Sequence, residues 1–177
     1  MIAMWSGGIF MRKWMLMACV LAAVPAQAHC GKPSVDLLKF LLPYAPANFD
    51  GIKGAPSWPG GYQYKLTPDA EQFCPNVFIL EDTAADGKYP EFWEVKFDGA
   101  QAGSGDDVAI SLIKSLSPVL KAAGYQDKPY INPGDDPNTY NMEWEGPSNT
   151  WVTVDTYADD DAPGTIGYEI KVAHDVK

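Results

Sequence analysis

Leu37-Leu38-Lys39-Phe40-Leu41-Leu42-Pro43-Tyr44 returns 75 positions later as Leu112-Ile113-Lys114-Ser115-Leu116-Ser117-Pro118-Val119. The apolar positions, the lysine and the proline coincide. Three further blocks follow in the same order. Tyr62-Gln63-Tyr64-Lys65-Leu66 matches Tyr140-Asn141-Met142-Glu143-Trp144 in the phase of its alternation. Val77-Phe78-Ile79-Leu80-Glu81-Asp82-Thr83 matches Thr150-Trp151-Val152-Thr153-Val154-Asp155-Thr156, with Asp-Thr closing both. Trp93-Glu94-Val95-Lys96-Phe97 matches Tyr168-Glu169-Ile170-Lys171-Val172. Shifts in offset fall between blocks, where loops are expected, so the chain reads as a tandem duplication.

Each block has a physical reading. In the second copy Ala109, Leu112, Ile113, Leu116, Val119, Leu120 and Ala123 recur at three- and four-residue steps, the period of an amphipathic helix. Ser104 or Asp106 suits its start and Gly124 its end. Pro118 predicts a kink or a restart, as Pro43 does in the first copy. The other blocks are short, alternating and rich in aromatic and β-branched residues, so they read as strands. Turn-rich residues 84–90 and 157–164 imply antiparallel hairpins. The fold class is therefore α+β: a helix plus three-stranded antiparallel unit, present twice as residues 33–100 and 106–174. About six strands result, with two helices packed on one face, because one helix on three strands cannot easily bury its apolar side alone. The other face is expected to carry Gln63, Lys65, Glu94, Lys96, Asn141, Glu143, Glu169 and Lys171 into solvent. The facing of Phe78, Leu80 and Trp151 is left open. The loops around 48–61 and 124–139 are expected to differ most between the copies.

The N-terminal region predicts export. Met11-Arg12-Lys13 is a positive start, residues 14–24 are apolar and uncharged, and Pro25 precedes Ala26-Gln27-Ala28. That is the order of a cleavable signal peptide spanning residues 11–28, with His29 first in the mature chain. The apolar run is well short of the roughly 20 residues that span a bilayer, so no stable membrane anchor is expected after cleavage. Lipid attachment at Cys19, in Leu16-Met17-Ala18-Cys19, is the less favoured alternative because it leaves little apolar core. Residues 1–10 put apolar side chains ahead of the positive region, so Met11 is the better start. Residues 29–177 then form a single mature domain, periplasmic or secreted.

Composition narrows the partners. The chain has 13 Lys and Arg against 23 Asp and Glu; losing Arg12 and Lys13 leaves 11 bases and a formal charge of −12. Arg12 is the sole arginine, so the mature domain lacks the bidentate fork that grips phosphate. Such a domain is a poor nucleic-acid binder and a good match for a basic protein. Cys30 and Cys74 are the two cysteines left, and in an oxidising compartment they are expected to pair. The staple would contribute roughly 4 kcal/mol through chain entropy.

No constellation carries catalysis. His29 and His174 are the only imidazoles, and Gly103-Ser104-Gly105 is helix-capping chemistry, not a nucleophile elbow. Neither zinc spacing nor a phosphate loop is present, so no enzyme, metal or cofactor is expected. Two metal alternatives rank below that reading. Calcium could use Asp155, Asp159, Asp160 and Asp161, or Glu81, Asp82 and Asp86, although turn chemistry explains both clusters. Copper(II) could use the His29 amine and ring with His174, if the fold brings both ends together.

Export, acidity, a disulfide and the lack of catalytic groups lead to a non-enzymatic protein-binding domain. An inhibitor or immunity protein against a basic envelope-targeting enzyme fits best, by analogy with other small secreted duplicated domains. A small-ligand or metal-binding periplasmic protein, and an envelope structural or assembly factor, are the alternatives. Trp58, in a proline-stiffened loop, is the candidate aromatic anchor. Asp135, Asp136, Asp159, Asp160 and Asp161 are the candidate acidic contacts. The expected intact mass of exported protein under non-reducing conditions is that of residues 29–177, unlipidated, less the two hydrogens of a Cys30–Cys74 bond. A retained leader, an acylated Cys19 or free thiols would contradict this reading.

Overall fold

Alternation sets the centre of the sheet. Trp93, Val95 and Phe97 turn to one side of their strand and are buried, while Lys96 between them is half-buried on the other side. The computed structural model describes residues 34–57, 62–68, 77–83, 90–134, 136, 138–160 and 162–176. Among these the chain forms α1 (Ser34–Leu41), a 3₁₀ turn (Ala45–Ala47), β1 (Lys53–Pro56), β2 (Gln63–Leu66), β3 (Phe78–Thr83) and β4 (Pro90–Ala102). Then come α2 (Gly105–Ala122), β5 (Tyr130–Pro133), β6 (Tyr140–Glu145), β7 (Thr150–Ala158) and β8 (Thr165–Asp175). The architecture is α+β: two helices and one antiparallel sheet in the order β1-β2-β3-β4-β8-β7-β6-β5. None of these helices is long and apolar enough to cross a membrane.

Among the described residues the sheet has eight strands, not the six expected. The additions, β1 and β5, lie in segments expected to be loops. Each is four residues long and ends in proline, Lys-Gly-Ala-Pro and Tyr-Ile-Asn-Pro, so neither shows the alternation that marks a strand. Both are edge strands, where one side of the backbone needs no partner and proline is tolerated. At the β1 edge, Lys53 closes over the core: its Nζ lies 2.7 Å from Asp50 Oδ1 and 4.0 Å from the centre of the Trp93 ring.

Among the elements of the described residues, a helix precedes four strands in each half, and the two sets of strands meet along β4 and β8. Lys96 faces Lys171 across that seam, Val95 faces Val172, and Phe97 faces Ile170. Lys96 and Lys171 are 75 positions apart, so the pairing has the form of a local dyad between them. The register also revises one block match. Ile79 faces Val95 and Val154 faces Ile170, which makes Ile79 and Val154 the counterparts. Asp82-Thr83 and Asp155-Thr156 are therefore two residues out of step. A shift of two keeps every side chain on its face, which is why alternation did not expose it.

The helices are unequal. Ser104 caps α2, its Oγ accepting from Asp107 N–H at 3.3 Å. The helix continues through Pro118 and ends at Gly124, φ +88°, where Tyr125 N–H donates to Leu120 O and Gly124 N–H to Lys121 O. In contrast α1 stops before Pro43 and the chain restarts as the 3₁₀ turn. α2 packs on β6 and β7, the 3₁₀ turn on β8, and α1 on α2, so the expected layer of two equivalent helices on one face is matched only in part. Leu37, Leu38 and Leu41 join Leu112, Leu116 and Leu120 in one core with Ile79, Val95, Val154, Ile170 and Val172. Full burial of one such side chain contributes about 1.5–3 kcal/mol.

Ile170 has no exposed surface and bridges β4 and β7. Ile170→Ala is expected to cost about 2–5 kcal/mol. Ile110→Ala, on the exposed side of α2, should change stability by no more than about 0.5 kcal/mol. Urea unfolding of both variants checks the assignment, and similar losses would place Ile170 wrongly.

Candidate functional site

The face of the sheet turned away from the helices carries its charges in rows, one row per cross-strand level. Glu94, Lys96 and Asp98 alternate along β4, Glu169 and Lys171 along β8, Trp151, Thr153, Asp155 and Tyr157 along β7, and Asn141 and Glu143 along β6. Gln63, Lys65, Glu94, Lys96, Asn141, Glu143, Glu169 and Lys171 share this face, as their phase implied. Phe78, Leu80 and Trp151 join them, because Phe78 faces Lys96, Leu80 faces Glu94 and Trp151 faces Ala173.

Glu94 and Glu169 occupy corresponding positions about the dyad but have opposite surroundings. Leu80 and Ala173 flank Glu94 across the strands, so the two lysines serve it. Lys96 Nζ lies 2.8 Å from its Oε1 and Lys171 Nζ 3.8 Å from its Oε2. Its side chain is 6 % exposed, so Glu94 is a buried, paired carboxylate and not the solvated residue its sequence position suggested. Asp98 and Asp155 flank Glu169, giving three carboxylates abreast on three adjacent strands. Burial pushes the Glu169 carboxyl above its ordinary range; Lys96 and Lys171 oppose the rise, and Asp98 and Asp155 add to it.

One level further along, Tyr157 lies over Gly167, where an added Cβ would fall 2.2 Å from its ring. Tyr157 as a whole stays 40 % exposed. Burial raises the pKa of its hydroxyl, and the charges of Asp98, Asp159 and Glu169 raise it further. Beyond Tyr157 the loops at this end of the sheet continue the negative surface. The β7–β8 link turns at Asp159, whose carbonyl accepts from Ala162 N–H, and Asp160 is exposed. In the β5–β6 link, Asp136 is exposed and its Oδ1 accepts from Asn138 N–H at 2.7 Å. Asn138 Oδ1 accepts from Gly105 N–H, and Gly103 N–H donates to Gly164 O, which ties both links to the start of α2. There the Tyr140 hydroxyl donates to Asp106.

The candidate acidic residues Asp136, Asp159 and Asp160 therefore share one end of the sheet. Asp135, Asp161, Trp58, His29, Cys30 and Cys74 lie outside the described residues. The first acidic cluster does not join them: Glu81 is at the other end of the sheet, its Oε2 accepting from Tyr64 OH at 3.0 Å. His174 lies at that end as well, where its Nδ1 is 2.7 Å from Asn48 Oδ1. Among the described residues no three His, Cys, Asp or Glu side chains are grouped to hold a metal ion.

Comparisons with family models, with curated proteins and with solved structures find no match to this chain. The site is read from its own chemistry: an exposed phenol among carboxylates, beside a pair of lysines held by a buried glutamate. Asp98 and Tyr157 were not singled out from sequence. The i, i+2 spacings Glu94-x-Lys96-x-Asp98 and Asp155-x-Tyr157 put them on this face, but only the register sets Asp98 beside Glu169.

A carboxyl with a raised folded-state pKa favours folding in its protonated form. Its contribution is complete at low pH and lost as pH rises through the folded pKa. Glu169→Gln is therefore expected to stabilise the protein at neutral pH, with the advantage shrinking as pH falls through the raised folded pKa and gone once pH is below the ordinary glutamate range. Urea midpoints of both proteins across that range test this, and a pH-independent difference would contradict it.

Proposed function

We propose that this chain is an exported, non-enzymatic protein-binding domain that docks a basic partner on its acidic end. An inhibitor or immunity protein against an envelope-targeting enzyme is the form that best joins this surface to the export signal read from residues 11–28. The observation that carries the reading is Tyr157, partly exposed and surrounded by Asp98, Asp159 and Glu169. Truncating an aromatic anchor at the centre of an interface costs most, while the surrounding charges chiefly speed encounter and exclude wrong partners. Tyr157 is held by its packing on Gly167, so it loses little freedom on binding. Trp58 remains a second proposed anchor, with Asp135 and Asp161 as further acidic contacts.

The test is affinity capture from envelope extract, followed by kinetics on the captured protein. Tyr157→Ala is expected to weaken binding by at least about 2 kcal/mol with folding intact. Replacing Asp159, Asp160 and Asp161 by asparagine should slow association and flatten its salt dependence. Unaltered binding by the Tyr157 variant, or a partner whose association ignores salt, would sink the proposal.

A further inference from the structure

Beside the β6–β7 turn, at the end of β7 away from Tyr157, lies a pocket of about 330 Å³ lined by Glu143, Glu145, Trp151, Asp175 and residues of the turn. That volume is at the small end of the roughly 300–1,000 Å³ of ligand sites. Its walls follow from alternation and register. Glu143 and Glu145 are two apart on β6 and turn to the same side. Trp151 faces Glu145 across one ladder and Ala173 across the other, so Glu143 and Asp175 stand at its diagonals. The turn holds Asp175 in place, its backbone N–H donating to Asn149 O at 3.0 Å.

Three separate features of this pocket select one kind of occupant. The first is charge. Among the described residues the lining carries three carboxylates and no base, and the lysines at the seam, Lys96 and Lys171, are drawn to Glu94. Glu145 Oε2 accepts from Gln126 Nε2 at 2.9 Å, a neutral partner that leaves the charge in place. A cation is therefore favoured, as it is by the negative chain as a whole. The second is the half-buried Trp151, since an indole attracts a cation more strongly than any other side-chain ring. The third is spacing. Direct and diagonal neighbours on adjacent strands lie roughly 5–8 Å apart, so the carboxylates stand around the indole, and no three acidic groups converge to hold a metal ion among the described residues. A point charge meets one of them at a time. A guanidinium stacks its flat face on an aromatic ring and sends five donors outward in a fixed fork.

We propose that this pocket receives an arginine side chain of a peptide or protein. The guanidinium stacks on Trp151 and donates to Glu143, Glu145 and Asp175. The site does not rest on the acidic end around Tyr157, so either assignment can fail alone.

The test is NMR titration of the whole mature protein with arginine, lysine and citrulline, each blocked as the N-acetyl methylamide. The readout is the indole N–H of Trp151, identified by its loss in Trp151→Phe. Blocked arginine is expected to shift this signal saturably. Citrulline, of the same shape without the charge, should bind at least about tenfold more weakly, and lysine severalfold more weakly. Free arginine should also bind less well, because the pocket repels its α-carboxylate. Glu143→Gln combined with Glu145→Gln, two changes outside the core, should weaken blocked arginine at least about tenfold. If that pair folds poorly, Glu145→Gln alone, at an exposed position, should weaken it severalfold. Tyr157→Ala should leave the titration unchanged. No saturable shift, equal binding of citrulline or lysine, or full binding by the folded glutamine variants would overturn the proposal. Tighter binding of free arginine would overturn the assignment to a peptide.

Discussion

The antiparallel pairing of β4 with β8 is the contact on which the remainder depends. It runs from Phe92 opposite Asp175 to Ala102 opposite Thr165, the longest ladder in the sheet. On one side of it Val95, Phe97, Ile170 and Val172 close the floor of the core. Without the seam each set of four strands would present an open central edge and a half-covered apolar face to a single helix, an arrangement too thin to hold a core. The two strands are far apart in sequence, so α2 and three strands intervene before the pairing forms. Non-local closure of this kind is the slow step expected in folding.

The same register decides where charge collects. It sets two lysines against each other at the dyad and leaves the neighbours of each glutamate to fix their allegiance. Leu80 and Ala173 leave Glu94 nothing else to meet, so both lysines turn to it. Asp98 and Asp155 instead crowd Glu169. Like charges directly opposite on adjacent strands are destabilising. A row of three carboxylates is a local conflict that the fold does not require, and such conflicts are commonest where a protein makes contact with something else. The two sets of four strands thus differ in electrostatics: one end of the open face is negative, with Tyr157 standing in it.

Packing on the other side leaves a second asymmetry. One helix is long enough to cover β6 and β7, while the other stops early and reaches the sheet through a 3₁₀ turn. Their ends come level near Tyr125, and small residues there leave space that the core does not fill. The acidic end and the Trp151 pocket instead share the open face, at either end of β7.

Residue order by itself determined the two amphipathic helices, narrowed the start of α2 to Ser104 or Asp106 and its end to Gly124, and set the phase of the long strands and most of the division of charged and apolar faces; it expected a break at Pro118 that the helix does not make. These depend on contacts a few residues apart, where period and side-chain type suffice. The same reading missed β1 and β5, because four-residue edge strands ending in proline have no alternation to detect and are held by a neighbour's backbone. It placed Glu94 in solvent, because burial of a charge depends on which lysines reach it from another strand. Tyr157 and Asp98 lay in plain view but without company. Only cross-strand register, a property of residues some 70 positions apart, could set Asp98 beside Glu169 or bring the ends of two helices level around Tyr125.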